Sequence, residues 1–587
     1  MRRRGQQASP PRVRGWFVAD APDFRRRGTW LVLAFTAMAI TLCARLVDIQ
    51  LRQHASLTAA ATALHQKSVT IAATRGRVLD SSGRVLASNR TVYDVFADPG
   101  LIPVDTRANV AHRLSPVLSV GESTLDQQIS QPTRFVYLAK GVSQATSDGL
   151  TALNLPGIVV VPAEQRVYEP SPVPGASFAA NLLGYVGADG QGQYGVESYY
   201  DSLLHGVDGH QSTVRDVTGN SITLSNDPQS NARNGQDLQL GLDSEVQYWA
   251  EQAIAQGVAT AQAASGTLIM MDTKTGAIRA WAQAPTYNAN SYWTSSIADF
   301  RDLAVSNVYE PGSVQKVVTF AGGLNANVIT PGYTFKEGPT TIDGATIHDW
   351  DNRAHGNITM QYVLDESLNN GAIKVGQLMG PDAFYSNLLA FGIGAPTGVD
   401  LAGEQNVPLA PQNTWSSLDL AEAAFGQHLQ TTPIEMLAAI NAVGNGGVWV
   451  QPHAVQAIID PSTGRSTAVV PTTRRVISAG AAATLAQMMT GVVEDRGAEG
   501  SGARIPAFKG EVAGKTGTAS VATNGAYGND VIVSFGGFLP AKNPQFTMLV
   551  VLNYPHETNQ VRFGATLAAP VWKQMAQVAI DQWRITP

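Results

Sequence analysis

Hydrophobic and polar positions change rhythm several times along this chain, and each change predicts an element. From Trp30 to Ala44 no side chain is charged. That run is a little short of the ~20 apolar residues a membrane helix needs. Past Arg45 the apolar character resumes with Leu46, Val47, Ile49 and Leu51, and the Arg45 side chain can reach back to the interface. The pattern predicts a membrane helix over residues 29–51, followed by a polar helical stalk over 52–68. Next, Val78-Leu79 and Val85-Leu86 flank Ser82-Gly83, which predicts a hairpin. From there to residue 235, strand-like runs alternate with connectors such as Pro170-Ser-Pro-Val-Pro-Gly175 and Gly187-Ala-Asp-Gly-Gln-Gly192. This punctuation predicts an extended, irregular module of short strands.

At residue 236 the texture changes. Leu238 to Leu242 reads as a strand, and Asp243 or Ser244 as the cap of a helix through Val246, Trp249, Ala250 and Ile254. Gly266–Met271 and Ala277–Ala282 flank Asp272-Thr-Lys-Thr-Gly276 and predict a second hairpin. Helices and further strands follow. Strands at both ends of a helical middle imply an α+β domain over 236–587, an antiparallel sheet with helices.

Composition narrows the partners. Hydrophobic residues at 44% and charged ones at 15% indicate that most of the 587 residues fold. A net charge of −6 argues against nucleic acid, which needs a basic face. The single cysteine, Cys43, excludes an intramolecular disulfide and a Cys-based metal site. The histidines are scattered, and His348 near Asp349 and Asp351 reads as loop polarity, so neither a metal nor another cofactor is expected. Arginines 2, 3, 4, 12, 14, 25, 26 and 27 precede the apolar run against only Asp20 and Asp23. By the positive-inside rule, residues 1–28 form a cytoplasmic tail and the rest lies outside. A cleaved signal peptide is the competing reading, but no small-x-small site follows the run directly.

The chemistry lies in three short elements. Glu310-Pro-Gly-Ser-Val-Gln-Lys316 places Ser313 where a helix begins, with Lys316 one turn on along the same face. A serine is a poor nucleophile until a nearby base takes its proton. The bland alternative is a capping serine with a solvated lysine. Ser367-Leu-Asn369 offers a hydroxyl for proton relay and an amide to hold a peptide; a plain helix end with a break at Asn370-Gly371 is its alternative. Gly514-Lys-Thr-Gly-Thr-Ala519 suits a strand that substrate lies against. Lys515 supplies a cation, Thr516 and Thr518 can bind a carboxylate, and Gly517 lets another backbone approach. The backbone N–H groups of Ser313 and Thr518 would form an oxyanion hole. Lys274-Thr-Gly276 repeats the third motif but sits in the hairpin turn, where it reads as turn chemistry. Ser313-x-x-Lys316 and Ser367-x-Asn369 each occur once in the chain, and three elements in this order are far more specific than any one.

With these motifs the chain resembles a class B penicillin-binding protein. Arg75-Gly-Arg-Val-Leu-Asp-Ser-Ser-Gly-Arg-Val-Leu-Ala87 and Gly192-Gln-Tyr-Gly-Val-Glu197 are similar to motifs of that family's pedestal. Phe425-Gly-Gln427, Gln430-Thr-Thr-Pro433 and Ala568-Ala-Pro-Val-Trp572 are similar to landmarks of its catalytic domain. The departures are Glu169 within Arg166-Val-Tyr-Glu-Pro170, and Ser81-Ser82 in the first hairpin. The resemblance implies a β-lactamase/transpeptidase-like domain over 236–587, on a pedestal (dimerisation) domain over 52–235. It implies acyl transfer from peptidoglycan stem peptides through Ser313, with Lys316 as base and Ser367 and Lys515 assisting. Asn369, Thr516, Gly517 and Thr518 would bind substrate. β-Lactams would acylate Ser313.

Val95-Phe-Ala-Asp-Pro99 and Leu183-Gly-Tyr-Val-Gly187 look more like the septal, FtsI-type branch than the elongation branch. That branch implies a membrane-embedded FtsW-type glycosyltransferase and other division proteins as partners. Two rivals stand against this reading. A class A β-lactamase needs a Glu-x-x-Leu-Asn element to activate water, and none lies between Ser367 and Lys515; a carboxypeptidase is the related alternative. A non-catalytic penicillin sensor or division scaffold has no need of the intact trio.

Overall fold

The structure is a computed structural model that describes residues 24–58, 66–215, 221–222, 228–495, 500–523, 526–556 and 564–587. The chain divides into two compact units, residues 1–71 with 209–231, and residues 72–208 with 232–587.

In the first unit the helix Phe24–Val47 runs into a π-helical turn, Asp48–Arg52. Residues 26–52 are long and apolar enough to cross a membrane. Arg45 pairs with Asp48 at 2.9 Å. The expected stalk is only partly helical: helix covers 54–58, residues 59–65 lie outside the described residues, and Gln66–Ile71 is a strand. That strand pairs antiparallel with Gly209–Arg215, which satisfies the backbone groups a helix would have satisfied internally.

The second unit opens with the predicted hairpin, Val78–Leu79 against Val85–Ala97. The expectation of a short-stranded, irregular module is corrected here. Val85–Ala97 and Ile158–Tyr168 are long strands, and with Val136–Val142 they make an antiparallel sheet. Helices Arg107–Leu118, Glu122–Ile129 and Gln144–Leu153 cover one face, burying Leu114, Leu125, Ile129 and Leu150 against Val95, Ala97 and Leu138. At its base lies a buried ion cluster. Glu197, fully buried, accepts from Arg75 Nε and Arg166 Nε, both at 2.8 Å, and from Tyr168 Oη at 3.2 Å. Arg75 also reaches Asp201 at 2.7 Å. The boundary expected at 235/236 falls beside the strand Asp237–Leu240. It pairs parallel with Val78–Leu79 and antiparallel with Val455–Ile459, so one sheet runs across it.

The part from Asp237 onward is built on five antiparallel strands: β1 (Ser265–Asp272), β2 (Ile278–Ala284), β3 (Ala513–Thr523), β4 (Ala526–Leu539) and β5 (Phe546–Asn553). Their order is β2-β1-β5-β4-β3, which puts the first hairpin beside the last strand of the chain. The central β5 is buried at every position, around the apolar run Met548–Leu552. Helices Ser244–Ala261 and Gly564–Trp583 pack on β1, β4 and β5 through Ile254, Leu567 and Trp572. The Asp243 side chain caps the first of these by accepting from the N–H groups of Glu245 and Val246. Helices Lys316–Asn325, Pro433–Gly444 and Ala479–Glu494 contribute to the other large core; Pro433–Gly444 is buried on all sides. β3 ends the sheet, and among the described residues no further strand pairs with its outer edge.

Candidate active site

Ser313 lies in a short 3-10 turn, Gly312–Gln315, that feeds the helix Lys316–Asn325. Two glycine contacts press this turn against β3. A Cβ on Gly517 would stand 3.1 Å from the Pro311 carbonyl oxygen and 2.7 Å from Val314, so only glycine admits the turn. A Cβ on Gly312 (φ 57°) would stand 2.8 Å from the Thr518 carbonyl oxygen. On its other side the Gly312 N–H donates to the Gly426 carbonyl at 3.0 Å. Ser313 is half-buried on this seam, and Thr518 faces it from β3.

Two buried lysine Nζ atoms converge on one hydroxyl. Lys515 Nζ donates to Ser367 Oγ at 2.7 Å and to Thr516 Oγ1 at 3.1 Å. Lys316 Nζ donates to Asn369 Oδ1 at 2.9 Å and to the Ser367 carbonyl, and lies 3.4 Å from Ser367 Oγ. Both lysines are fully buried. Burial and a neighbouring cation are the two conditions that free a lysine amine to act as a base. Ser367 holds a left-handed backbone (φ 56°), a conformation that costs energy for a non-glycine residue and recurs at functional sites. The trio predicted from spacing is therefore brought together: Ser367, Asn369, Lys316 and Lys515 touch, and Ser313 with Thr518 lies on the adjoining seam.

The expected break at Asn370-Gly371 is not there. Both residues sit in the first turn of the helix Asn369–Met379, and a Cβ on Gly371 would come within 2.3 Å of Val363. The helix is capped from outside by Asp349, which the sequence reading took for loop polarity. Its carboxylate accepts from the backbone N–H groups of Asn369 and Asn370 and from Asn370 Nδ2 at 3.0 Å. Burial opposes ionisation of Asp349, but hydrogen bonds from Glu337 and Asn370 and the field of Lys316 hold it below the usual carboxylate range. Glu337 is pushed up to about 7, by burial first and then by sharing a proton with Asp349. Such a raised carboxyl contributes stability that is full below its unfolded value and is lost as pH rises through about 7. Glu337→Gln keeps a donor facing Asp349 at every pH. The gap in melting temperature between about pH 5 and about pH 8 is expected to shrink in this variant. An unchanged gap would show that the two carboxyls titrate independently.

Among the described residues, two clusters have metal-ligand types within 4.8 Å: Glu337–Asp349–His355 and Asp419–Glu422–His428. In the first, both Asp349 oxygens are already engaged by Asn369 and Asn370, and the arrangement serves hydrogen bonding. The alternative Lys-Thr-Gly is turn chemistry as read. Lys274 is exposed, Asp272 accepts from the N–H groups of Lys274 and Thr275, and Gly276 (φ 80°) leaves room for the Gln451 carbonyl.

Residues 266–577 match the penicillin binding protein transpeptidase domain, and residues 70–240 the penicillin-binding protein dimerisation domain. The chain belongs to the class B penicillin-binding proteins, which are serine peptidoglycan D,D-transpeptidases. It is similar to stage V sporulation protein D of Bacillus subtilis, 28% identical over 96% of this chain and 86% of that protein. It is 29% identical to the peptidoglycan D,D-transpeptidase FtsI of Escherichia coli, over 88% of this chain and 85% of the relative. A crystal structure of a peptidoglycan synthetase from Bifidobacterium adolescentis superposes with a TM-score of 0.70 at 26% identity, covering 89% of this chain and 97% of the other.

Proposed function

We propose that this chain cross-links septal peptidoglycan through an acyl-enzyme on Ser313. The observation that carries the reading is the Ser367 hydroxyl, held between the Nζ atoms of Lys316 and Lys515 beside the Ser313 turn. Ser313 Oγ bonds to the penultimate D-Ala carbonyl carbon, and the bond to the terminal D-Ala breaks. The hydroxyl proton passes through Lys316 and Ser367 to the leaving amine, and an acceptor amine then displaces Ser313. The N–H groups of Ser313 and Thr518 hold the oxyanion, and Asn369, Thr516, Gly517 and Thr518 orient the stem peptide.

The same reading divides the chain into a cytoplasmic tail (1–28), an anchor (29–51), a pedestal (52–235) and a catalytic domain outside the membrane (236–587). The septal assignment is supported by Val95-Phe-Ala-Asp-Pro99 and Leu183-Gly-Tyr-Val-Gly187 and calls for an FtsW-type glycosyltransferase as partner. Depletion in the source cell distinguishes the branches: filaments support the septal role, rounded cells the elongation role. For the site, a fluorescent penicillin is expected to label the parent and the Lys274→Ala variant equally and Ser313→Ala not at all. Labelling lost in Lys274→Ala alone would move the substrate strand to the first hairpin.

A further inference from the structure

A groove of about 470 Å³ opens between Ile342, Gln377, Gln412, Asn413, Trp415 and Ser416. Three elements tie it to the catalytic centre. The helix Asn369–Met379 begins in that centre and reaches the groove at Gln377; at 1.5 Å per residue, roughly 12 Å separates the two positions. The helix Ser417–Phe425 runs the opposite way, from the groove to Gly426, whose carbonyl holds the Gly312 N–H. The hairpin that carries Ile342 leads on to Asp349, the cap of Asn369.

The lining has a definite chemistry. Trp415 is half-buried, with Tyr385 and His428 edge-on to its ring. Its indole N–H is taken by the Ala410 carbonyl at 3.0 Å, which leaves the ring as the surface it offers. Around it stand the amides of Gln377, Gln412 and Asn413 and the hydroxyls of Ser416 and Ser417, with Ile342, Pro381 and Leu420 as apolar wall; the charge at the rim is Asp382, which accepts from Gln412 Nε2 at 2.8 Å. A stem peptide's carboxylates would call for a cation here, and a wholly apolar ligand would leave the amides and hydroxyls without partners. An aromatic surface ringed by amides and hydroxyls suits a neutral N-acetylated sugar, whose C–H face covers the ring while its hydroxyl and acetamido groups pair with the amides. The helical rise of roughly 12 Å from Asn369 to Gln377 is a length that about four extended residues span.

We propose that this groove binds the neutral N-acetylhexosamine of the glycan strand that carries the donor stem peptide. The proposal rests on the transpeptidase reading above. It is tested on the full chain in detergent with two donors, a stem peptide on an uncross-linked glycan fragment and the same peptide free, and with β-lactam acylation as a third readout. Trp415→Ala, and separately the double variant Gln412→Ala/Asn413→Ala, are expected to raise KM for the glycan-borne donor about tenfold, the equivalent of ~1.4 kcal/mol of lost binding. KM for the free peptide and the rate of β-lactam acylation are expected to stay at the parental values. A parent that does not prefer the glycan-borne donor would overturn the proposal, as would an equal rise in KM for both donors in the double variant. A parent that β-lactams fail to acylate would instead defeat the transpeptidase reading itself.

Discussion

Replacing Lys316 by alanine is expected to slow acylation of Ser313 by about 10²–10⁴-fold, the contribution a positioned general base makes. The amine sits one helical turn from the serine and donates to Asn369 Oδ1 and the Ser367 carbonyl. Its loss removes the proton acceptor and takes a donor from the buried Ser367 carbonyl and the half-buried Asn369 Oδ1. Leaving such groups unpaired costs about 1–3 kcal/mol, so stability falls modestly while the rate collapses. Thermal unfolding and stopped-flow acylation by a chromogenic cephalosporin separate the two effects. A rate within about threefold of the parent would exclude Lys316 as the base.

The largest expected loss of stability lies far from the serine. Glu197→Ala would strip the carboxylate shared by Arg75 and Arg166, both buried, and leave their charges short of a partner. Breaking a buried ion pair by removing one member costs about 3–5 kcal/mol. Asp201 still reaches Arg75 at 2.7 Å, while Arg166 Nη1 keeps only the carbonyl of Gly76 and the side chain of Asn89. Arg75, Arg166 and Glu197 come from three separate segments, so the change loosens the base of the pedestal. Urea denaturation is expected to show a correspondingly earlier transition. A shift below about 1 kcal/mol would mean that water replaces the carboxylate without cost.

The hairpins and the three short motifs were legible in the sequence because their signals are local. Ser82-Gly83 and Asp272–Gly276 announce their own turns, and Ser313 and Lys316 stand one turn apart at the head of one helix. What escaped depends on partners distant in the chain. Gln66–Ile71 is a strand only because Gly209–Arg215 lies beside it, and its β-branched Val69, Thr70 and Ile71 gave too short a pattern to overrule a stalk. The pedestal helices are hidden by weak apolar faces, as in Glu122–Ile129, where Leu125 and Ile129 alone are buried. Asp349 read as loop polarity because nothing in the sequence says that Glu337 will share its proton or that Asn369 and Asn370 will bond to it. Gly426 could be quoted as a landmark, but its reason, the Gly312 backbone passing within 2.0 Å of where a side chain would begin, is visible only in space.

The central claim is that Ser313 is the acylated residue. Intact-mass measurement of the full chain after reaction with a penicillin, followed by peptide mapping, tests it most directly. The account predicts one adduct per chain, on the peptide that contains Ser313. An adduct on any other serine, or an unmodified chain after prolonged exposure, would contradict it.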